Sequence, residues 1–306
     1  MLPLIYHTMY SKFPLPEGHR YPIMKYQYLY DAIIEKTQRE SDWRDKVALF
    51  SPEALTFADI KQVHGDEYVE QLATGTLPAN KMRRIGFPWS AQLVQRTLTS
   101  AAGTVLTAKL AIEHGVAIHL SGGYHHAHKD FGSGFCLFND LVLAAHFALQ
   151  SEDINKVLII DSDVHHGDGT ATLCQGRDDI ITLSFHCDKN FPARKPDSDF
   201  DVPLTRDTDD DTFLTTFKQV VEMAVNLHQP DLVIYDAGVD LHQDDELGYL
   251  NISTPAIYQR DYFLFSTMKS RGIPVAAVVG GGYRTEQTAL VPVHFQLIQA
   301  AFDIYY

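Results

Sequence analysis

Lys156-Val157-Leu158-Ile159-Ile160-Asp161-Ser162-Asp163-Val164-His165-His166-Gly167-Asp168-Gly169-Thr170 decides how the chain is read. Four apolar residues, Val157 to Ile160, run into a polar cluster, the pattern of a buried parallel strand that ends at the working edge of a sheet. Side chains alternate along an extended segment, so Asp161, Asp163 and His165 are expected on one side and Ser162 and Val164 on the other. Three groups able to bind metal then share one face. Gly167 and Gly169 flank Asp168 and permit a sharp turn, with a helix starting near Thr170. A surface turn rarely concentrates so many ionisable groups.

Outward from this stretch, strands and helices alternate. Apolar runs at Leu4–Tyr6, Val116–Leu120, Ile180–Ser184, Leu232–Tyr235 and Val275–Val279 predict further strands. Three- and four-residue periodicity predicts helices over Met24–Thr37, Asp66–Leu72, Ser90–His114, Asn139–Leu149, Ala171–Gln175, Asp211–His228 and Pro255–Arg271. Gly115 is placed as a helix stop, and Thr285–Tyr306 is expected to close the chain, burying Phe295, Leu297, Ile298, Ala301 and Phe302. Phe13–Pro22 and the acidic, proline-containing Ala193–Asp210 are expected as loops. Such alternation implies an α/β fold with a central, mostly parallel sheet between two helical layers, over one domain spanning residues 1–306.

Composition agrees with a globular chain: 45% of residues are hydrophobic and 21% charged, close to ordinary usage. No basic leader or long apolar run is present, so the cytoplasm is the expected compartment and no membrane partner is expected. Cys136, Cys174 and Cys187 form no Cys-x-x-Cys pair and are expected as free thiols. A formal charge of −14 disfavours direct nucleic-acid binding.

In open parallel sheets ligands gather beyond the carboxyl ends of the strands. Collected there are Ser121 to Ala127, Asp161 to Thr170, Asp236 to Asp240, and Gly280 to Arg284. Asp163, His165 and Asp240 offer two carboxylates and one imidazole, a donor set that suits zinc with an open position for water. Zinc can bring the pKa of that water toward roughly 7 and polarise a carbonyl, the requirement for hydrolysing an amide. His125 and His126 need not act alike, and Asp161 and Asp168 are suited to orient them. Tyr283, carried on three glycines, is suited to donate to an oxyanion.

These motifs, with Gly132-Ser133-Gly134-Phe135-Cys136-Leu137-Phe138-Asn139-Asp140, resemble the histone deacetylase family of zinc-dependent lysine deacetylases on the arginase-like fold. The resemblance covers most of the chain, with its specificity in Ser121 to Arg284, and is nearest to compact microbial or class IV-like members. It implies Asp163, His165 and Asp240 as zinc ligands, His126 with Asp168 as general base, His125 with Asp161 as electrostatic partner or proton donor, and Tyr283 as the carbonyl-polarising group. It also implies an acyl-lysine tunnel at Gly134, walled by Phe135 and Phe191. A potassium ion is implied at Asp161, Ser184 and the backbone carbonyls of Asp163, His165 and Phe185, and Arg20 is implied beside a product channel.

Family members that grip peptide backbones carry an acidic residue at the tunnel rim, and Gly86-Phe87-Pro88-Trp89-Ser90 has none. The partner is thus an acetyl-lysine peptide or protein, or a small acetylated amine such as an acetylpolyamine. A two-metal ureohydrolase and a non-catalytic binder of acylated ligands are rivals, and zinc and iron(II) are both open. The triple glycine lacks the Gly-x-Gly-x-x-Gly spacing of a dinucleotide site.

Overall fold

Alternation along the central strands divides the core between two faces of one sheet. Leu158, Ile160, Val233, Tyr235, Val275 and Ala277 join the larger buried cluster, with residues of the helices Thr254–Arg271 and Val291–Tyr305. Their neighbours Val157, Ile159, Leu232, Ile234, Ala276 and Val278 join the smaller one, against Leu141, Val142 and Ala145 of the helix Asp140–Ala148. Strands buried on both faces read as continuous apolar runs, which is why they were legible. The computed structural model describes residues 1–306.

The strands are β1 (Leu2–Ile5), β2 (Val47–Phe50), β3 (Val116–His119), β4 (Val157–Asp161), β5 (Ile180–Cys187), β6 (Phe200–Leu204), β7 (Leu232–Asp236) and β8 (Val275–Val278). They form a single sheet in the order β2-β1-β3-β8-β7-β4-β5-β6, every pairing parallel. Helices in the connections complete three α/β/α layers. Ser90 caps the helix Ala91–His114 by accepting from Leu93 N–H at 3.0 Å, and Gly115 ends it at φ 83°. All three cysteines are free and buried.

Several expectations are corrected. Ala193–Asp210 is not all loop, since Phe200–Leu204 is the edge strand β6, its residues alternating inward and outward with Pro203 tolerated at a sheet edge. The opposite edge, β2, is short and only partly buried, so its apolar signal is weak. The helix after β4 begins at Asp168 rather than at Ala171. The last helix runs over Val291–Tyr305 after a 3-10 turn at Gln287–Leu290, and Phe295 is only partly buried, stacking on Trp43. The segment Phe13–Pro22 is a loop, yet Phe13, Tyr21 and Pro22 are buried in it.

Candidate active site

Strands β3, β8, β7 and β4 are consecutive in the sheet, so the four loops expected to carry chemistry emerge side by side. The loop after β3 begins with Gly122 and Gly123 at φ 93° and 81°. Asp140, at the start of the next helix, accepts from Gly123 N–H at 3.1 Å and Tyr124 N–H at 2.7 Å, pinning that turn. Asn139 caps the helix through Val142 N–H and donates to Ala127 O and Thr170 Oγ1, tying the histidine loop to the loop after β4.

Asp163, His165 and Asp240 come together as expected, each buried, their ligand atoms all within 4.8 Å of one another. His165 Nδ1 lies 3.0 Å from both Asp163 Oδ1 and Asp240 Oδ2. The remaining carboxylate atoms are used for positioning: Asp163 Oδ2 accepts from Gly281 N–H and Asp240 Oδ1 from Val164 N–H. A Cβ at Gly281 would collide with both carboxylates, so glycine is required for this close approach. Burial and the neighbouring Asp163 push Asp240 up to about 6, while burial opposes, and the two aspartates outweigh, a rise of His165 to about 10. Two buried carboxylates facing one imidazole is a donor set with room for a divalent cation.

Asp161 does not join that set, although it was expected on the same face. β4 ends at Asp161, whose Oδ2 pairs with His125 Nδ1 at 2.7 Å, the histidine it was also expected to orient. His126 Nδ1 pairs with Asp168 Oδ1 at 2.7 Å, and the two Nε2 atoms face each other at 3.1 Å. Burial disfavours charge on both rings, but Asp161 and Asp163 overcome it at His125 and hold it well above the usual histidine range. At His126 burial and the charged neighbour prevail, lowering it to about 3. The surroundings thus favour charge on His125 and disfavour it on His126.

Of these rings His126 reaches a cleft of about 400 Å³, lined also by His165, Tyr283, Gly134, Phe135 and Phe191. Phe191 is 43% exposed, which makes it a wall rather than a core residue, and its ring stands edge-on to His126 at 4.8 Å. A Cβ at Gly134 would meet the His126 ring. Burial, Asp163 and Asp240 raise Tyr283 well above 10, so its hydroxyl keeps its proton. Its backbone N–H donates to Asp245 at 2.6 Å.

Asp161 and Ser184 are register partners on β4 and β5, so the side chains expected to share potassium are neighbours, although Ser184 Oγ also meets His186 Nδ1 at 3.0 Å. The Phe185 ring is buried against Phe217. Arg20 is exposed and lines the mouth of the cleft, not an interior channel; the buried cation behind Tyr283 is Lys25. Lys25 Nζ donates to Gly280 O at 2.9 Å and Gly282 O at 3.3 Å, and burial lowers it to about 8.

Sequence alone assigns no role to Lys25, Asp140 or Asp236. Asp236 is buried with both carboxylate oxygens unpartnered, and burial and Asp161 raise it well above the usual carboxylate range. It faces Asp161 across β4 and β7, so carboxylates ending two strand runs were the available signal.

The histone deacetylase domain model matches residues 20–296. The chain is 42% identical over 303 residues to an uncharacterized protein of Picosynechococcus sp., covering 99% of both. It is 32% identical to Histone deacetylase 2 of Arabidopsis thaliana over 81% of this chain and 66% of that protein. It is 30% identical to the acetoin utilization protein AcuC of Bacillus subtilis over 91% of this chain and 76% of that protein. On these grounds the chain belongs to the histone deacetylase family of deacetylase hydrolases.

Proposed function

We propose that this chain, working as one catalytic unit, is a zinc-dependent deacylase that removes acetyl or another short acyl group from the side-chain amine of lysine. The observation that carries the reading is the adjacency of the Asp163, His165, Asp240 donor set to the His125–His126 pair, with His126 and His165 lining an aromatic-walled cleft. Zinc fits the two-carboxylate, one-imidazole set, and iron(II) suits the same donors. When bound there, such an ion would polarise the acyl carbonyl and acidify water.

The chain's own residues do the rest. Phe135 and Phe191 sandwich the aliphatic stem of the acyl-lysine and exclude water around it. Asp168 holds the Nδ1 proton of His126, so Nε2, the atom that also faces His125, is the one that takes the proton of the attacking water. His125, kept charged by Asp161, stabilises the developing negative charge and supports proton delivery to the leaving amine. Tyr283 donates its phenolic proton to the oxyanion. Potassium at Asp161 and Ser184 would stiffen the β4–β5 edge that carries Asp163 and His165.

The test is release of acetate and free amine from an acetyl-lysine peptide by the zinc-loaded protein, abolished by chelation and restored by zinc. Stoichiometric zinc with no turnover of any short-acyl lysine peptide would contradict the reading.

A further inference from the structure

In a chain of formal charge −14, the mouth of the cleft carries arginines that no carboxylate neutralises. Arg20 and Arg84 are exposed and line it. The arginines that do pair with acids are Arg39, Arg177, Arg260 and Arg284, and neither mouth arginine is among them. Arg84 rests on an aromatic face instead, its guanidinium 3.9 Å from the centroid of Phe131. A third, Arg206, is held 4.5 Å over Tyr249, which lines the mouth. A guanidinium stacked on a ring is oriented by the π face while its edge N–H groups stay free for a planar anion. The acid at the mouth, Glu246, already accepts from Thr285 N–H at 2.6 Å and from its hydroxyl at 3.0 Å.

We propose that this rim is a carboxylate-binding subsite, so that the preferred substrate is an acyl-lysine flanked by aspartate or glutamate in a peptide or protein. The inference rests on the deacylase reading of the cleft floor. Arg84 and Arg20 would receive the flanking carboxylate while the acyl-lysine stem passes between Phe135 and Phe191. An acetylated polyamine brings positive charge to the same arginines and is disfavoured. The net negative charge of the chain is thus not repeated among the residues lining the mouth, where two arginines face one carboxylate, Glu246.

The experiment uses end-blocked peptides identical except that acetyl-lysine is flanked by Asp or by Lys, competed in one tube with the zinc-loaded protein. A kcat/KM ratio of about three- to tenfold in favour of the Asp peptide is expected at low ionic strength, shrinking as salt is added. The ratio should fall to near one in the Arg20→Gln, Arg84→Gln double variant and invert in Arg84→Glu. Because both peptides meet the same sample, any inactive fraction cancels from the ratio. A ratio near one in the unaltered protein, or one unchanged in both variants, overturns the rim while leaving the deacylase reading intact. No turnover of either peptide removes the deacylase reading and the subsite together.

Discussion

The Nε2 atoms of His125 and His126 face each other at 3.1 Å, while their Nδ1 atoms are held by different carboxylates, Asp161 and Asp168. Two imidazoles this close cannot both be charged at ordinary cost, and the environment separates them. His125 has Asp161 with Asp163 and Asp236 nearby, whereas Asp168 is also shared with His128 at 3.0 Å. Adjacent in sequence, the two rings thus sit in surroundings that favour charge on one and disfavour it on the other.

His126→Ala is predicted to cut kcat by a factor on the order of a hundred or more, with zinc content and circular dichroism unchanged. Asp168→Asn should cost less, since it removes the charge but not the imidazole. Steady-state kinetics with metal analysis check both, and full activity in His126→Ala would remove its role as base.

Tyr283→Phe should lower kcat by about a hundredfold with little change in KM, because the hydroxyl is assigned to the oxyanion rather than to the bound acyl group. A rise in KM alone would make it a binding residue.

Lys25 braces the loop that carries Tyr283. Lys25→Met leaves Gly280 O and Gly282 O without their donor and removes the cation beside Asp240 and Asp245. A loss of about 2–4 kcal/mol in urea unfolding is expected, together with reduced turnover. Unchanged stability would show that the loop holds itself.

His64 predicts acid sensitivity. Its Nδ1–H donates to His128 O at 2.9 Å and its Nε2 accepts from Asn139 N–H at 2.9 Å, a geometry only the neutral ring can satisfy. Burial accordingly lowers it from 6.5 to about 4. Between those values the unfolded chain binds a proton that the folded chain does not, so this contribution vanishes above pH 6.5 and destabilises increasingly as pH falls toward 4. The loss is at most roughly 3 kcal/mol at 1.36 kcal/mol per pH unit. Urea unfolding from pH 4 to 7 should show a shallower slope in His64→Gln, and equal slopes would contradict the assignment.

The strands that frame the cleft were readable because burial on both faces leaves runs such as Val157–Ile160, and the candidate metal ligands because they follow such runs directly. The edge strands β2 and β6 were not, since partial exposure dilutes their apolar pattern. Lys25 was hidden by distance, lying 255 residues from the glycine carbonyl it meets. Arg20 was misplaced for a related reason. An arginine in a polar loop gives no sign of whether it turns inward, and here Tyr21 beside it is buried while Arg20 stays at the mouth.

Elemental analysis of the purified protein and of its Asp163→Ala and Asp240→Ala variants, paired with deacetylation assays on the same samples, bears most directly on the central claim. About one divalent ion per chain is predicted in the unaltered protein, with ion and turnover lost together in each variant. Full turnover by metal-free protein, or full metal occupancy in both variants, would contradict it.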